Sequence, residues 1–359
     1  MKILFVAGNF DDNGGRPSSV ANKFHALIDA RSDVEQIAFA NGGYFSEIED
    51  ILEQAKTHDV VIWWANVPND KPKIRDVKSV NPKTMLITSK RNDDNKYSFA
   101  ELINRALESK ANLCVEFSKQ GETFDMMVFG PLGNCWFNGN DIQKCCDILI
   151  NRIAFLKNIT RQGCTNVLNE NSPMIPDDGE FFDVIKNYAE IFHKLINPAP
   201  GVTRFLGNSS FRCQRGFPSF KKDGIIYVSR RNVDKRYIDK DSFVPTKFVD
   251  GKVFYYGDNK PSVDTPIQLR LYERLPHINY MIHSHVYIKD APFTSHMIPC
   301  GGLEEVEEVM ALIQKKYGNC DGDFYAINLV GHGSIIMSSD VQKLKNIDYV
   351  GRIFPEIHF

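Results

Sequence analysis

Three histidines lie in local patterns suited to holding a metal ion. His283 and His285 are one residue apart in the apolar, β-branched and aromatic run 278–286. On a strand, side chains at i and i+2 share a face, so both imidazoles present to one pocket. Imidazole suits zinc and similar first-row metals, and catalytic sites often combine three protein ligands with an open position. Taken alone, such a pair reads more readily as two histidines satisfied by ordinary hydrogen bonds. The third, His332, sits between Gly331 and Gly333 inside the apolar stretch 327–336. Glycine within a strand marks a bulge or a close backbone approach, which turns the histidine toward a neighbouring site; a plain turn is the alternative. Upstream, Asp264 precedes Thr265 and Pro266, read as the N-cap and first residue of a helix. A carboxylate there suits acid/base work, or is simply part of a capping segment.

These residues need a scaffold, and the chain has two kinds. Residues 1–160 alternate strand candidates (2–7, 34–39, 59–65, 84–89, 112–117 and 126–129) with helix candidates (18–30, 45–56, 98–109 and 141–157). The first and third strands are continuously apolar, as strands covered on both faces should be. The alternation predicts a largely parallel, doubly wound, Rossmann-like α/β domain. Ligands of such sheets sit at the carboxyl ends of the strands. Gly8, Gly14 and Gly15, after the first strand, therefore mark either a phosphate cradle or a loop that only turns the chain. Residues 161–178, with their glycine, asparagines and prolines, read as a linker. From Gly179 a new helix opens the second domain, 179–359. Within it, 303–317 reads as a helix, with Glu304, Glu305, Glu307 and Glu308 early and Lys315 and Lys316 late, as the helix dipole favours.

The second domain resembles the class II aldolase and adducin family, whose members carry comparable pieces in the same order. Those pieces are Gly207-Asn208-Ser209-Ser210, Ser229-Arg230-Arg231-Asn232, Pro261-Ser262-Val263-Asp264-Thr265-Pro266, His283-Ser284-His285, Ile298-Pro299-Cys300 and Gly331-His332-Gly333. The resemblance implies an α/β/α layered domain and zinc, or another divalent first-row metal, held by His283, His285 and His332. It implies a sugar-phosphate substrate whose adjacent oxygens meet the metal, an enediolate, and Asp264 as acid/base. Asn208, Ser209, Ser229 and Ser262 match positions around the substrate, and Arg230 and Arg231 could grip an anion or face water. A homo-oligomer, a tetramer by resemblance, is also implied. Three departures stand out. Asp264 replaces a glutamate and is one methylene shorter, Val263 replaces a serine, and the arginines replace the family's threonine- and glycine-bearing loop.

Composition narrows the choice further. Apolar residues make up 43%, charged residues 25%, and the formal net charge is −2. That balance gives no reason to expect nucleic acid as a partner; the basic residues Lys71, Lys73, Arg230 and Arg231 have acidic neighbours. Eight cysteines without a CxxC suggest reduced thiols. No apolar run approaches the roughly 18 residues of a membrane helix, and the expectation is a soluble, cytoplasmic enzyme. The leading expectation is a metal-dependent lyase, with an epimerase or dehydratase on the same scaffold as the alternative. A non-catalytic adducin-like binding module, or a nucleotide- or nucleotide-sugar-dependent transferase residing in the first domain, belongs to other classes.

Overall fold

The computed structural model describes every residue except 69–75, 121–122, 169–170, 199–204, 213–223 and 359. The basic residues at 71 and 73 therefore lie outside the described residues. The chain forms two compact units: Met1–Asn158 with Ile353–Phe359, and Ile159–Arg352.

In the first unit the six expected strands and four expected helices are present with shifted ends, and a short helix at 76–80 and a strand at 134–139, neither of them expected, join them. They are β1 (Lys2–Asp11), α1 (Ser19–Asp29), β2 (Gln36–Tyr44), α2 (Ile48–Gln54), β3 (Val60–Asn66), α3 (Asp76–Val80), β4 (Met85–Arg91) and α4 (Phe99–Glu108). Then follow β5 (Leu113–Gln120), β6 (Thr123–Phe129), β7 (Asn134–Gly139) and α5 (Ile142–Asn158). Pairing is parallel from β2 through β1, β3 and β4 to β5, then antiparallel through β6 to β7. Alternate residues explain the continuous apolarity of β1 and β3. Ile3, Phe5, Val60 and Ile62 pack with α1 and α5, while Leu4, Val6, Val61 and Trp63 pack with α2.

The end of β1 and the loop that follows it fold back on the neighbouring stretch of chain instead of standing open. Asn9 N–H donates to Arg16 O at 2.9 Å, and Gly15 N–H to Gly43 O at 2.8 Å. A Cβ on Gly15 would lie 2.0 Å from Asn9 O, and one on Gly8 would lie 2.6 Å from Gly42 N. Close chain packing thus accounts for Gly8 and Gly15, and Gly14 takes a positive φ of 86° in the turn.

The second unit holds β8 (Asn166–Leu168), α6 (Gly179–Ile196), β9 (Asn208–Phe211), β10 (Ile225–Ser229), β11 (Phe243–Val249), β12 (Lys252–Tyr256) and α7 (Thr265–Arg274). It continues with β13 (Tyr280–Ser284), β14 (Tyr287–Ile288), α8 (Glu304–Tyr317), β15 (Phe324–Leu329), β16 (Gly333–Ser338) and β17 (Tyr349–Val350). Eight strands form a sheet in the order β15-β16-β13-β9-β10-β11-β12-β8. α6 covers one face through Phe181, Phe182, Ile185 and Tyr188, and α7 and α8 cover the other through Ile267, Leu271, Val309 and Ile313. This is the expected three-layer α/β/α arrangement.

Two expected boundaries change. The segment 161–178 is not a free linker: β8 pairs in parallel with β12, and the Asn166 amide donates to Val253 O at 3.1 Å. Cys164 is buried in the core beneath it. Nor does the second unit run to residue 359. The tail forms β18 (Glu356–Ile357), which pairs with β7 of the first unit. Such strands are hidden because a two- or three-residue edge strand needs only backbone partners and leaves little side-chain pattern. No described helix is long and apolar enough to cross a membrane.

Candidate metal centre

The central strands of the second sheet bring the histidines together. His283 is in β13, paired between Asn208 of β9 and Ile335 of β16. His285 lies just beyond the end of β13, so the strand carries one histidine and its exit bend the other. Glycines make room for this crowding: a Cβ on Gly207 would sit 2.5 Å from His283 O, and one on Gly333 would sit 1.9 Å from Ser284 O. Of the two readings of His332, a bulge within one strand or a plain turn, the structure has the turn: His332 closes a tight hairpin between β15 and β16, which pair from Phe324↔Ser338 to Leu329↔Gly333. Gly331 takes φ 67° in that turn, a backbone geometry side chains resist. The turn is clamped from outside. Tyr287 Oη accepts from Gly331 N–H at 3.0 Å, Thr294 Oγ1 accepts from Val330 N–H at 3.0 Å, and Arg352 Nη2 donates to Gly331 O at 3.0 Å.

Ring centroids are 5.0 Å apart for His283 and His285, 4.7 Å for His283 and His332, and 5.1 Å for His285 and His332. One nitrogen from each lies within 4.8 Å of the others, and all three residues are buried. His283 Nδ1 donates to the Ser334 carbonyl at 2.9 Å, which leaves Nε2 as the lone-pair nitrogen. That Nε2 and His285 Nδ1 are buried with no hydrogen-bond partner. Orphaned imidazole nitrogens facing one another are costly unless something binds them. Burial, with neighbouring positive charge, holds both rings well below the usual histidine range, so both stay neutral and ligand-ready. The donor set fits a divalent first-row cation.

His332 is different. Its Nδ1 donates to Glu305 Oε2 at 2.6 Å, and its Nε2 lies 3.0 Å from Cys300 Sγ. Burial lowers its proton affinity, but Cys300 and Glu305 outweigh that and raise it well above the usual range. Glu305 was expected only as one of several acids matching the helix dipole. Nothing in the local sequence distinguishes it from Glu304, which is half-buried and accepts from Thr160 N–H at 2.9 Å instead; the distinction comes from α8 turning the Glu305 face of its first turn onto the hairpin.

Asp264 is buried too, and burial pushes its carboxyl up to about 6, with the nearby His332 charge pulling the other way. The backbone makes Asp264, not Thr265, the N-cap of α7, yet its side chain does not cap the helix. Oδ2 accepts from Asn208 Nδ2 at 2.9 Å and Oδ1 from Gly301 N–H at 3.0 Å. Asn208 Oδ1 in turn accepts from Gln268 Nε2. Asp264 is not part of the converging trio, as its shorter reach anticipates.

The remaining candidates line the same end of the sheet. Ser229 Oγ accepts from Ser209 N–H at 3.1 Å, and Ser229 O from Ser262 N–H at 3.1 Å, which draws the 229–231 segment alongside 260–262. Ser209 Oγ is buried without a partner. Arg230 is half-buried and Arg231 exposed, while Lys235, absent from the sequence candidates, is buried.

Residues 187–289, spanning Asn208, Asp264, His283 and His285, match the family described as Class II Aldolase and Adducin N-terminal domain. This segment is a class II aldolase and adducin domain. Solved structures that overlap the chain include an L-fuculose 1-phosphate aldolase, at 14% identity and TM-score 0.32 over 47% of this chain and 81% of that one. An aldolase II superfamily protein from Pseudomonas syringae overlaps at 15% identity and TM-score 0.29, over 45% and 68%. A DNA/pantothenate metabolism flavoprotein from Streptococcus pneumoniae overlaps at 9% identity and TM-score 0.34, over 43% and 98%. No curated protein matches the chain. The aldolase and adducin assignment rests on the 187–289 match, and His332 falls outside that segment.

Proposed function

We propose that the second unit is a metal-dependent lyase of the class II aldolase type, acting on a small sugar or sugar phosphate. The observation that carries this reading is the convergence of three buried imidazoles, two with orphaned nitrogens, beside a buried carboxylate. His283, His285 and His332 would hold zinc or a similar divalent ion. Such an ion supplies Lewis-acid polarisation of a carbonyl or hydroxyl oxygen and offsets negative charge developing there.

The chain's own groups do the rest. Asp264, poised near neutrality, is suited to take and return a proton, since efficient acid/base groups have proton affinities close to the working pH. Its two hydrogen bonds fix the carboxylate while leaving lone pairs on each oxygen free. Glu305 fixes the tautomer and orientation of His332. An epimerase or dehydratase would use the same proton transfer next to a carbonyl, and the substrate decides between them. The homo-oligomer implied by resemblance and a cytoplasmic location belong to the same proposal.

Incubating the zinc-loaded protein with a panel of ketose and aldose phosphates in deuterated water, followed by NMR, tests the assignment. Cleavage products, or deuterium at the carbon next to the carbonyl, are expected for at least one compound. Exchange no faster than with a His283→Ala control would overturn it.

Two further results are expected of the metal centre. Because a metal must displace the proton held on His332, affinity for zinc should rise about tenfold per pH unit across the neutral range, then level off. Chelator-competition titrations at several pH values read this directly; a flat profile contradicts it. Glu305→Gln should weaken zinc binding by about 10- to 100-fold. The substitution also relieves proton competition, so the loss is to be read at alkaline pH, where that competition has gone.

A further inference from the structure

Gln268 is out of keeping with its surroundings. It lies in α7 among Ile267, Leu269, Leu271 and Tyr272, all core residues, and is 1% exposed. An apolar side chain there would need no hydrogen-bond partner, whereas a buried carboxamide needs one at each end. Gln268 meets half of that need. Its Nε2 donates to Asn208 Oδ1, and its Oε1 is buried with no partner among the described residues. One helical turn earlier stands Asp264, whose backbone carbonyl accepts from Gln268 N–H at 3.1 Å. Asn208 bridges the two side chains from β9, where its backbone is in register with His283 of β13.

Charge sets the polarity of this line. A carboxamide offers donors at one end and an acceptor at the other, while an ionised carboxylate offers acceptors only. Asn208 must therefore turn its NH2 toward Asp264 Oδ2, which it meets at 2.9 Å. Its oxygen is then left for α7, where the Gln268 NH2 holds it. Turned over, Asn208 would set its oxygen against the carboxylate and its NH2 against another NH2. Gly301 N–H holds the second carboxylate oxygen separately, at 3.0 Å. Donors thus run one way, from Gln268 through Asn208 to Asp264.

We propose that Gln268 is a positioning residue for Asp264: by engaging the Asn208 oxygen it fixes which end of that carboxamide meets the carboxylate, and so holds Asp264 in one orientation to act as a base. A methionine or leucine at 268 would fill the space but leave Asn208 free to turn over. The word base rests on the aldolase-type reading; the line of hydrogen bonds does not. The charged groups acting on Asp264 are His332 of the hairpin, Glu305 of α8, and Arg231 and Lys235 of the 229–235 segment. Gln268 is uncharged, so exchanging it for a neutral residue leaves all of these in place.

The test is an NMR titration of the aspartate carboxyl carbons in the full-length protein, with the Asp264 resonance assigned by its loss in Asp264→Asn. Gln268→Met should raise the Asp264 midpoint by about one pH unit, a gain of about tenfold in proton affinity, because a charge-assisted donor to the ionised form is weakened. Asn208→Leu should raise it at least as far. Adding Gln268→Met to Asn208→Leu should move it no further, since Gln268 acts through Asn208. A merely structural role for Gln268 would lower stability and leave the midpoint in place. An unchanged midpoint in Gln268→Met overturns the proposal, as does a shift that persists undiminished beside Asn208→Leu. If Gln268→Met does not fold, Gln268→Leu carries the same comparison. A wild type without turnover counts against the aldolase-type reading, and the titration decides the positioning role separately.

Discussion

His283→Ala is expected to abolish stoichiometric zinc binding while leaving a folded protein. A four-ligand zinc site gathers roughly 10–16 kcal/mol, so one ligand is worth about 3 kcal/mol, or on the order of 10²–10³ in affinity. His283 also carries the hydrogen bond to Ser334 O, so its removal disturbs the β13–β16 pair as well as the ion. Circular dichroism separates the two effects, because unfolding removes the sheet signal and ligand loss does not. His296→Ala is the matched control. That ring is exposed and bound to Glu308 at 2.6 Å, away from the trio, and its loss should leave zinc content at the wild-type level. Equal zinc in His283→Ala and wild type would remove the basis for the metal centre.

The second large effect is on chemistry. Asp264→Asn should lower turnover by about 10²- to 10⁴-fold on any substrate the wild type processes, the range expected for loss of a positioned acid/base group. Asparagine can keep one of the two hydrogen bonds from Asn208 and Gly301 but cannot exchange a proton. Since Asp264 stands outside the converging nitrogens, zinc content should stay within error of the wild type. The pH profile carries a sign as well. The carboxyl is raised to about 6, so it is ionised and competent as a base above that value. Wild-type activity limited by base catalysis should therefore fall as pH drops through about 6. A variant that retains activity to within about threefold shows that another group moves the proton.

Legibility followed the range of the interactions. Continuous apolarity in β1 and β3 revealed a sheet covered on both faces, and the strand-helix alternation revealed its winding, because both are written in nearest neighbours. The HxH spacing gave the convergence of His283 and His285, although the strand ends between them. His332 was readable as either a kinked or a turn residue, and the sequence alone did not choose between them, since Gly-His-Gly permits both a bulge and a turn. Glu305, Lys235 and Arg352 were invisible for one reason: each acts through contacts 20 or more residues away along the chain or through burial that depends on them. The short strands β8 and β18 escaped notice because backbone pairing at an edge leaves little mark on side-chain pattern. Gly8 and Gly15 invited a ligand reading, and the packing of their loop against β2 accounts for them without one.

The measurement that bears most directly on the central claim is X-ray absorption at the zinc edge of zinc-loaded protein, beside the His332→Ala variant. Three imidazole nitrogens at about 2.0–2.1 Å are expected in the wild type, with two in the variant. A wild-type spectrum with fewer than three imidazoles, or one that His332→Ala leaves unchanged, would contradict the account.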